Sequence, residues 1–312
     1  MRNKFAEKLS SRANLDEKIL LLTGDLGYGV LDDFATKYPN QYLNLGVTEQ
    51  SMMSMAAGLA SKGFRPFVYS IANFPTLRCL EQIRNDVSYM NNPVTIVAVG
   101  AGLGYGNLGY THHAIEDISI LRTFPNITIY SPASQFEVEA CVDDILSSDS
   151  PAYLRLGKGG EKEIHKVKDF NVSEPILLNP GNDGFIVSTG GIATTVMQTL
   201  QRLQVIGINP TIYSIPKITS QSLKLLLEIV GDSYLLSIEE HILAGGFGSW
   251  ILEEANTGNF LAKISRIGIK EAATSNFGDQ NYMLDQFKIT PEFSMNTFLE
   301  LRARFGGGIS TK

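Results

Sequence analysis

The sequence predicts an α/β protein made of two three-layer α/β/α domains with mostly parallel sheets. Short apolar runs alternate with stretches of helical periodicity along the chain, the signature of repeated βαβ units. A polar stretch from Gly157 to Gly184, rich in Lys, Glu, Asn, Asp and Pro, interrupts that rhythm and reads as a connection between two such units. The 312 residues are enough for two domains of ordinary size, and 44% hydrophobic against 19% charged residues lets each bury a core.

In the first unit the strand candidates are 19–23, 41–45, 66–70, 94–99, 127–130 and 152–156, each a short apolar run, with helical patterns near 48–62, 76–90, 114–122 and 134–147. The second unit begins at 184–191, a strand ending in a Gly-rich turn ahead of a helix over 193–206. Strands near 210–214, 233–238 and 264–268 then alternate with helices near 220–230 and 246–256. The expected division is 1–160, a linker 161–183, and 184–312.

Several classes are disfavoured by composition. A net charge of −6 with no basic tract argues against nucleic acid. Cys79 and Cys141 both fall in amphipathic helical patterns, which suits a reducing compartment and provides neither a disulfide framework nor zinc spacing. No apolar run reaches membrane-spanning length, and the first eighteen residues lack the apolar centre of a signal peptide. A soluble cytoplasmic protein is expected.

The most informative carboxylate is Glu49. It follows a short run ending at Gly46 and precedes small and apolar residues at 52, 53, 55, 56, 59 and 60, a helix apolar on nearly every side and expected to be buried. Spacing leaves two readings open: a buried carboxylate that needs a partner for its proton or charge, or a first-turn Glu placed by the helix dipole behind a Thr48 N-cap.

The run LNLGVTEQSMMSMAAGLASKGFRPFV resembles the pyrimidine-binding domain of transketolases, whose Gly-[Ile/Val]-x-Glu segment carries the glutamate that binds N1′ of thiamine diphosphate. Three further segments are similar to the same family, in the same order: LLTGDLGYGV (21–30), NLGYTHHAIEDISILRTFPNITIYSPAS (107–134) and LLSIEEHILAGGFGSWILEEA (235–255). Together they extend from about residue 10 to about residue 305. The family's Gly-Asp-Gly segment, which holds the diphosphate and Mg²⁺, is absent from this sequence. The resemblance therefore implies the C-terminal subunit of a split, two-chain transketolase. An N-terminal partner would hold the metal and diphosphate, and the assembly would be a heterotetramer acting on a sugar.

The same resemblance implies site residues. Glu49 would accept a hydrogen bond from N1′ and favour the imino tautomer that serves as the base for C2 deprotonation, and burial would help it share that proton. Asp25 and Leu26 match the family's pyrimidine-side Asp-Leu pair. Phe74 stands at one family aromatic position and Ile71 at another, with Leu77 at a third, so Phe74 is the expected stacking residue; an arbitrary Phe would read better as a core residue at a helix start, and the motif reverses that. His112 takes the place of a histidine at the cofactor's reactive end, where an imidazole can pass protons. His113 falls where the family often has Gln and is expected to contact substrate. Glu116 and Asp117 open a helix, where acidic residues are favoured without function. No residue is assigned to a metal.

Three departures point to a non-standard substrate. Gly100 and Leu108 stand where transketolases acting on sugar phosphates have His and Asp, and Lys158 stands for the Arg that grips the phosphate, keeping the charge but not the bidentate fork. The loop 100–113 is expected to bend freely and approach a ligand. In the segment 235–255, Gly245, Gly246 and Gly248 are expected to allow a tight turn and close packing of a partner chain, with His241 a minor candidate for the active-site entrance. Two other readings remain: the beta-type subunit of a 2-oxo-acid dehydrogenase first component, disfavoured by the Thr-His-His segment, and a non-catalytic regulatory subunit, disfavoured by the retention of Asp25, Glu49 and His112.

Overall fold

The computed structural model describes residues 1–165, 168–270 and 275–306. The first half runs α1 (Arg2–Ala13), β1 (Ile19–Thr23), α2 (Asp32–Lys37), β2 (Tyr42–Asn44), α3 (Glu49–Ala60), β3 (Arg65–Ile71) and α4 (Leu80–Gln82), continued by a π-helical turn over Ile83–Tyr89. It ends with β4 (Thr95–Val99), α5 (Asp117–Leu121), β5 (Thr128–Tyr130), α6 (Gln135–Ser147) and β6 (Ala152–Leu156). The second half comprises β7 (Ile176–Asn179), β8 (Phe185–Ser188), α7 (Ala193–Val205), β9 (Thr211–Ser214), β10 (Lys217–Ile218) and α8 (Ser220–Val230). It continues with β11 (Tyr234–Ile242), α9 (Phe247–Thr257), β12 (Lys263–Ile269), α10 (Gln280–Gln286) and α11 (Pro291–Phe305).

One sheet has the order β10-β5-β6-β4-β3-β1-β2, the other β12-β11-β8-β9-β7. Pairing is parallel throughout except for the two edge strands β10 and β7. The two-domain α/β expectation thus holds. β1, β4 and β6 are buried at every position, as strands covered by helices on both faces must be. Leu22, Val68 and Ile96 of the first sheet share a core with Leu223 and Leu226 of α8 and Phe247 and Ile251 of α9, so apolar burial joins the two halves.

Several elements differ from the sequence expectation. β7 lies inside the stretch read as a linker and pairs antiparallel with β9. β10, although it follows β9 of the second sheet, crosses back to extend the first: Lys217 pairs with Tyr130 and Ile218 with Ile129. The helix expected over 76–90 is irregular, with a 3₁₀ turn at Leu77–Cys79 before α4; it follows Pro75, which lacks an N–H and restrains Phe74. α3 is not buried all round: Met52, Met53, Ala56, Ala57 and Ala60 face inward while Met55 is exposed. Among the described residues no helix is long and apolar enough to cross a membrane.

Candidate active site

The residues singled out in the first domain gather at the carboxyl ends of its parallel strands, where open α/β sheets form their ligand crevice. In sheet order, Glu49 follows β2, Asp25 and Leu26 follow β1, Ile71 ends β3 with Phe74 just beyond, Gly100 follows β4, and Lys158 follows β6. Neighbouring strands are about 4.8 Å apart, so the Glu49 and Lys158 ends of this row are separated by four spacings, roughly 19 Å.

Glu49 opens α3 and is 6% exposed. Thr48 does not cap the helix; its hydroxyl donates to the Leu45 carbonyl at 2.8 Å. The Glu49 carboxylate instead accepts a hydrogen bond at 3.2 Å from Nη1 of Arg78, a residue absent from the sequence-based site. The Arg78 guanidinium carbon lies 3.9 Å from the centre of the Phe74 ring, and the His112 ring meets Phe74 edge-on at 5.3 Å. Glu49, Arg78, Phe74 and His112 thus form one continuous cluster. The only sequence signal for Arg78 is a lone cation in an otherwise apolar turn, Pro-Thr-Leu-Arg-Cys-Leu.

Asn73, also missed, holds the His112 loop: its Nδ2 donates to the carbonyls of His113 at 2.5 Å and Thr111 at 3.2 Å. The His112 Nδ1 is 3.0 Å from the Thr111 hydroxyl. Asp25 is exposed and adopts φ +57°, a left-handed conformation that Asp tolerates. Its carboxylate accepts from the Tyr28 hydroxyl at 2.6 Å and its N–H donates to Asn44 Oδ1, which also receives the Gly46 N–H. The Tyr28 and Asn44 side chains hold the Asp25 carboxyl below its usual range. Asn44 therefore links the loops after β1 and β2. Leu26 packs against the core on the opposite face of the sheet and accepts the Thr23 hydroxyl at its carbonyl, while Ile71 is half-buried at the end of β3.

His113 is placed differently from the substrate contact expected of it. It is fully buried, with Tyr110 edge-on at 6.2 Å and Nε2 3.5 Å from the Gly106 carbonyl, and burial lowers its pKa. Its ring supports the loop rather than facing the crevice. Lys158 is exposed, its ammonium 4.7 Å from the centre of the Tyr105 ring. A cleft of about 890 Å³ opens beside it, of mixed charge: Arg2 and Lys4 line it together with Glu7, Glu161 and Asp279, and Lys4 is paired with Glu7.

The loop 100–113 is pinned rather than free. The Leu103 N–H donates at 2.7 Å to Glu240 of β11, which also receives the Gln280 amide at 2.9 Å, and Gly102 pairs with Ala114. A Cβ at Gly102 would run into the Glu240 side chain. Behind it, Asp117 accepts from the Tyr153 hydroxyl at 2.6 Å and from Arg155 Nε at 2.7 Å. Complete burial would raise the Asp117 carboxyl, but the Arg155 and His241 charges and these bonds bring it below the usual range. Asp117 is thus more than a helix-opening acid. His241 does not reach the active-site entrance: it is 1% exposed, 3.6 Å from Asp117, and burial lowers its pKa to about 4. The glycines after it pack within the chain, Gly246 against Glu239 and Gly248 against Arg266 and Ser237. Glu239 accepts the N–H groups of Phe247 and Gly248 at the start of α9. Both cysteines are free and buried, and burial pushes the Cys79 thiol up to about 12.

Residues 1–160 match the family described as "Transketolase, pyrimidine binding domain", and residues 175–292 match "Transketolase, C-terminal domain". The chain belongs to the transketolase family. One subunit of the apulose-4-phosphate transketolase of Phocaeicola vulgatus is 31% identical over 258 residues, covering 81% of this chain and 82% of that protein. The 1-deoxy-D-xylulose-5-phosphate synthase of Halothermothrix orenii is 29% identical over 86% of this chain but only 43% of its own length. A solved structure described as "Split gene transketolase, inactive beta4 tetramer" superposes with a TM-score of 0.87 at 26% identity, covering 97% of this chain and 98% of that one. The protein is accordingly a transketolase-type chain of the thiamine diphosphate enzyme class. Among its described residues no group of three or more His, Cys, Asp or Glu side chains is arranged to hold a metal.

Proposed function

We propose that this transketolase-type chain is the C-terminal subunit of a two-chain enzyme. The enzyme would move a two-carbon ketol unit from a ketose donor to an aldehyde acceptor, with thiamine diphosphate and Mg²⁺ held largely by an N-terminal partner. The observation that carries the proposal is the Glu49–Phe74–His112 cluster: a desolvated carboxylate, an aromatic face and an imidazole brought together at the crevice, the first two bridged by Arg78. These residues fit an aminopyrimidine. Glu49 and Phe74 already accept a flat cationic N–H donor in the form of the Arg78 guanidinium. Two relatives support division of the enzyme between two chains, since the Phocaeicola protein is a subunit of its transketolase and the superposed structure is of a split gene transketolase.

When bound, the cofactor supplies the nucleophilic carbon and the electron sink for cleaving a C–C bond beside a carbonyl. Glu49 would accept a hydrogen bond from the pyrimidine nitrogen and hold its proton. Phe74 would carry the flat ring and Asp25 and Ile71 would wall it, with Leu26 anchoring the Asp25 loop against the opposite core. His112 is held by Asn73 through the neighbouring carbonyls, and would move a proton at the donor's carbonyl oxygen and hydroxyl. Lys158, exposed at the mouth of the cleft, would take an anionic end of the sugar as a point charge. Exposed Val47, Met55, Leu77 and Leu108 lie on segments around this site and offer apolar surface to a partner chain. We assign the domains as 1–160 and 184–312, joined by 161–183, whose β7 is taken up into the second sheet, and place the enzyme in the cytoplasm.

The deciding experiment is reconstitution. Alone, the chain should bind thiamine diphosphate weakly and show no turnover; co-purified with an N-terminal partner, it should gain both, as a heterotetramer. Micromolar, Mg²⁺-dependent cofactor binding by this chain alone would refute the division of labour.

A further inference from the structure

We propose that Arg78 occupies the aminopyrimidine's place in the cofactor-free chain, holding Glu49 and Phe74 in position for that ring and swinging out when the ring arrives. The inference rests on the thiamine diphosphate reading above and names a positioning residue that the reading does not contain.

A guanidinium is a flat cation with N–H donors in its plane and a face that stacks on aromatic rings. Arg78 uses both properties together: an in-plane N–H reaches the Glu49 carboxylate at 3.2 Å, and its carbon sits 3.9 Å from the centre of the Phe74 ring. A ring that donates an N–H to the same carboxylate while lying on the same aromatic face would need the same volume. The two cannot be there at once.

The surroundings suit a group that leaves. The Arg78 side chain is 49% exposed, whereas Glu49 is 6% exposed. The Arg78 backbone is tethered, its carbonyl accepting the Gln50 amide of α3 at 2.9 Å, so the Cα stays beside Glu49 while the side chain is free to rotate outward. Without a cation, Glu49 would be a desolvated carboxylate with no charge partner. Arg78 supplies that partner until the cofactor's own ring nitrogen does. Its departure is also needed for function, since a carboxylate paired with a permanent cation is poorly disposed to hold the pyrimidine proton. Phe74, which would otherwise present a bare apolar face to water, is covered in the meantime by the cation.

The test uses the complex with its N-terminal partner and measures thiamine diphosphate affinity by calorimetry at saturating Mg²⁺ for wild type, Arg78→Ala and Arg78→Lys. Removing the competing side chain should tighten binding by about three- to tenfold, the factor expected when only roughly 10–30% of the molecules have an open site. Arg78→Lys, which keeps the charge but has no flat face, should fall between. In parallel, Arg78→Ala should lower the melting temperature of the isolated chain, and Glu49→Gln in that background should recover it. Weaker binding in Arg78→Ala would show that Arg78 touches the cofactor or partner directly and would overturn the proposal. Unchanged affinity with unchanged stability would overturn it as well. If the wild-type complex binds no cofactor, the function reading fails and the inference with it; if wild type binds and Arg78→Ala does not differ, this inference alone fails.

Discussion

The ring of Tyr105 fills the space that a side chain at Gly100 would need: a Cβ added to Gly100 would overlap the Cδ2–Cε2 edge of that ring. Gly100 also has φ +90°, which L-residues rarely adopt. The missing family His at position 100 is therefore not a vacant place but one taken by another residue of the same loop. Lys158 lies against Tyr105, so two of the three departures from the sugar-phosphate pattern meet at one aromatic ring.

Restoring the His alone should consequently do harm. Gly100→His is expected to destabilise the chain by roughly 2–5 kcal/mol through overpacking and backbone strain, measured by urea unfolding. Adding Tyr105→Ala should return the packing part and leave the strain part. A neutral Gly100→His would mean that the loop accommodates a side chain at no loss.

The reconstituted enzyme should use xylulose 5-phosphate and ribose 5-phosphate poorly. Lys158→Arg should raise kcat/KM for that pair by at most about 100-fold, the range of a single charged hydrogen bond, because Gly100 and Leu108 still lack the other contacts. Turnover by wild type at the rate of an ordinary transketolase, in the same assay, would contradict this.

Glu49→Gln retains shape and hydrogen bonding but cannot hold the pyrimidine proton. Hydrogen–deuterium exchange at C2 of the bound cofactor should slow by about 10²-fold or more. Assembly should survive, since an amide is easier to bury than a carboxylate. Exchange as fast as in wild type would reduce Glu49 to a helix-start residue.

Two buried groups set opposing pH dependences. Burial raises the Glu239 carboxyl to about 8, so its contribution is complete below its unfolded pKa of 4.5 and is lost as pH rises towards 8. Burial lowers His241 to about 4 from 6.5, so the folded state is disfavoured at low pH and gains stability as pH rises from 4 to 6.5. The two slopes cancel between about 4.5 and 6.5. From 6.5 to 8 the His241 slope is gone and the Glu239 slope remains, amounting by itself to at most about 2 kcal/mol. Urea titrations should therefore show stability declining over that upper window in wild type and a flatter profile in Glu239→Gln. An equal decline in both proteins would place the titrating group elsewhere.

The central strands were legible because each is a short apolar run between helical patterns, as in Ile19–Thr23 and Thr95–Val99, and a strand buried on both faces has little alternative; β7, half-exposed at a sheet edge, was not. α1 was not legible: it has few apolar positions, and only Phe5, Ala6, Leu9 and Ala13 face the core. β10 has two residues, too short for any period to show. Within the site, Glu49, Phe74 and His112 could be placed through motifs contiguous in sequence. Their neighbours could not: the Arg78–Glu49 contact, and the Asp117–Arg155–His241 network beneath the loop, join residues whose proximity exists only once the sheets have formed. His113 is placed away from the expected substrate contact because adjacent residues on a turn point opposite ways, and here it is His113 that turns inward.

Lys217 and Ile218 are laid along the outer strand of the first sheet although they emerge from the ribosome well after that sheet's own last strand. Until they arrive, Thr128–Tyr130 is a bare edge with unpaired backbone groups, open to any passing strand. The nascent first domain is thus finished only by its successor. Cleavage within the polar stretch between the halves would release not two self-sufficient proteins but one with an open seam and one with a surplus strand.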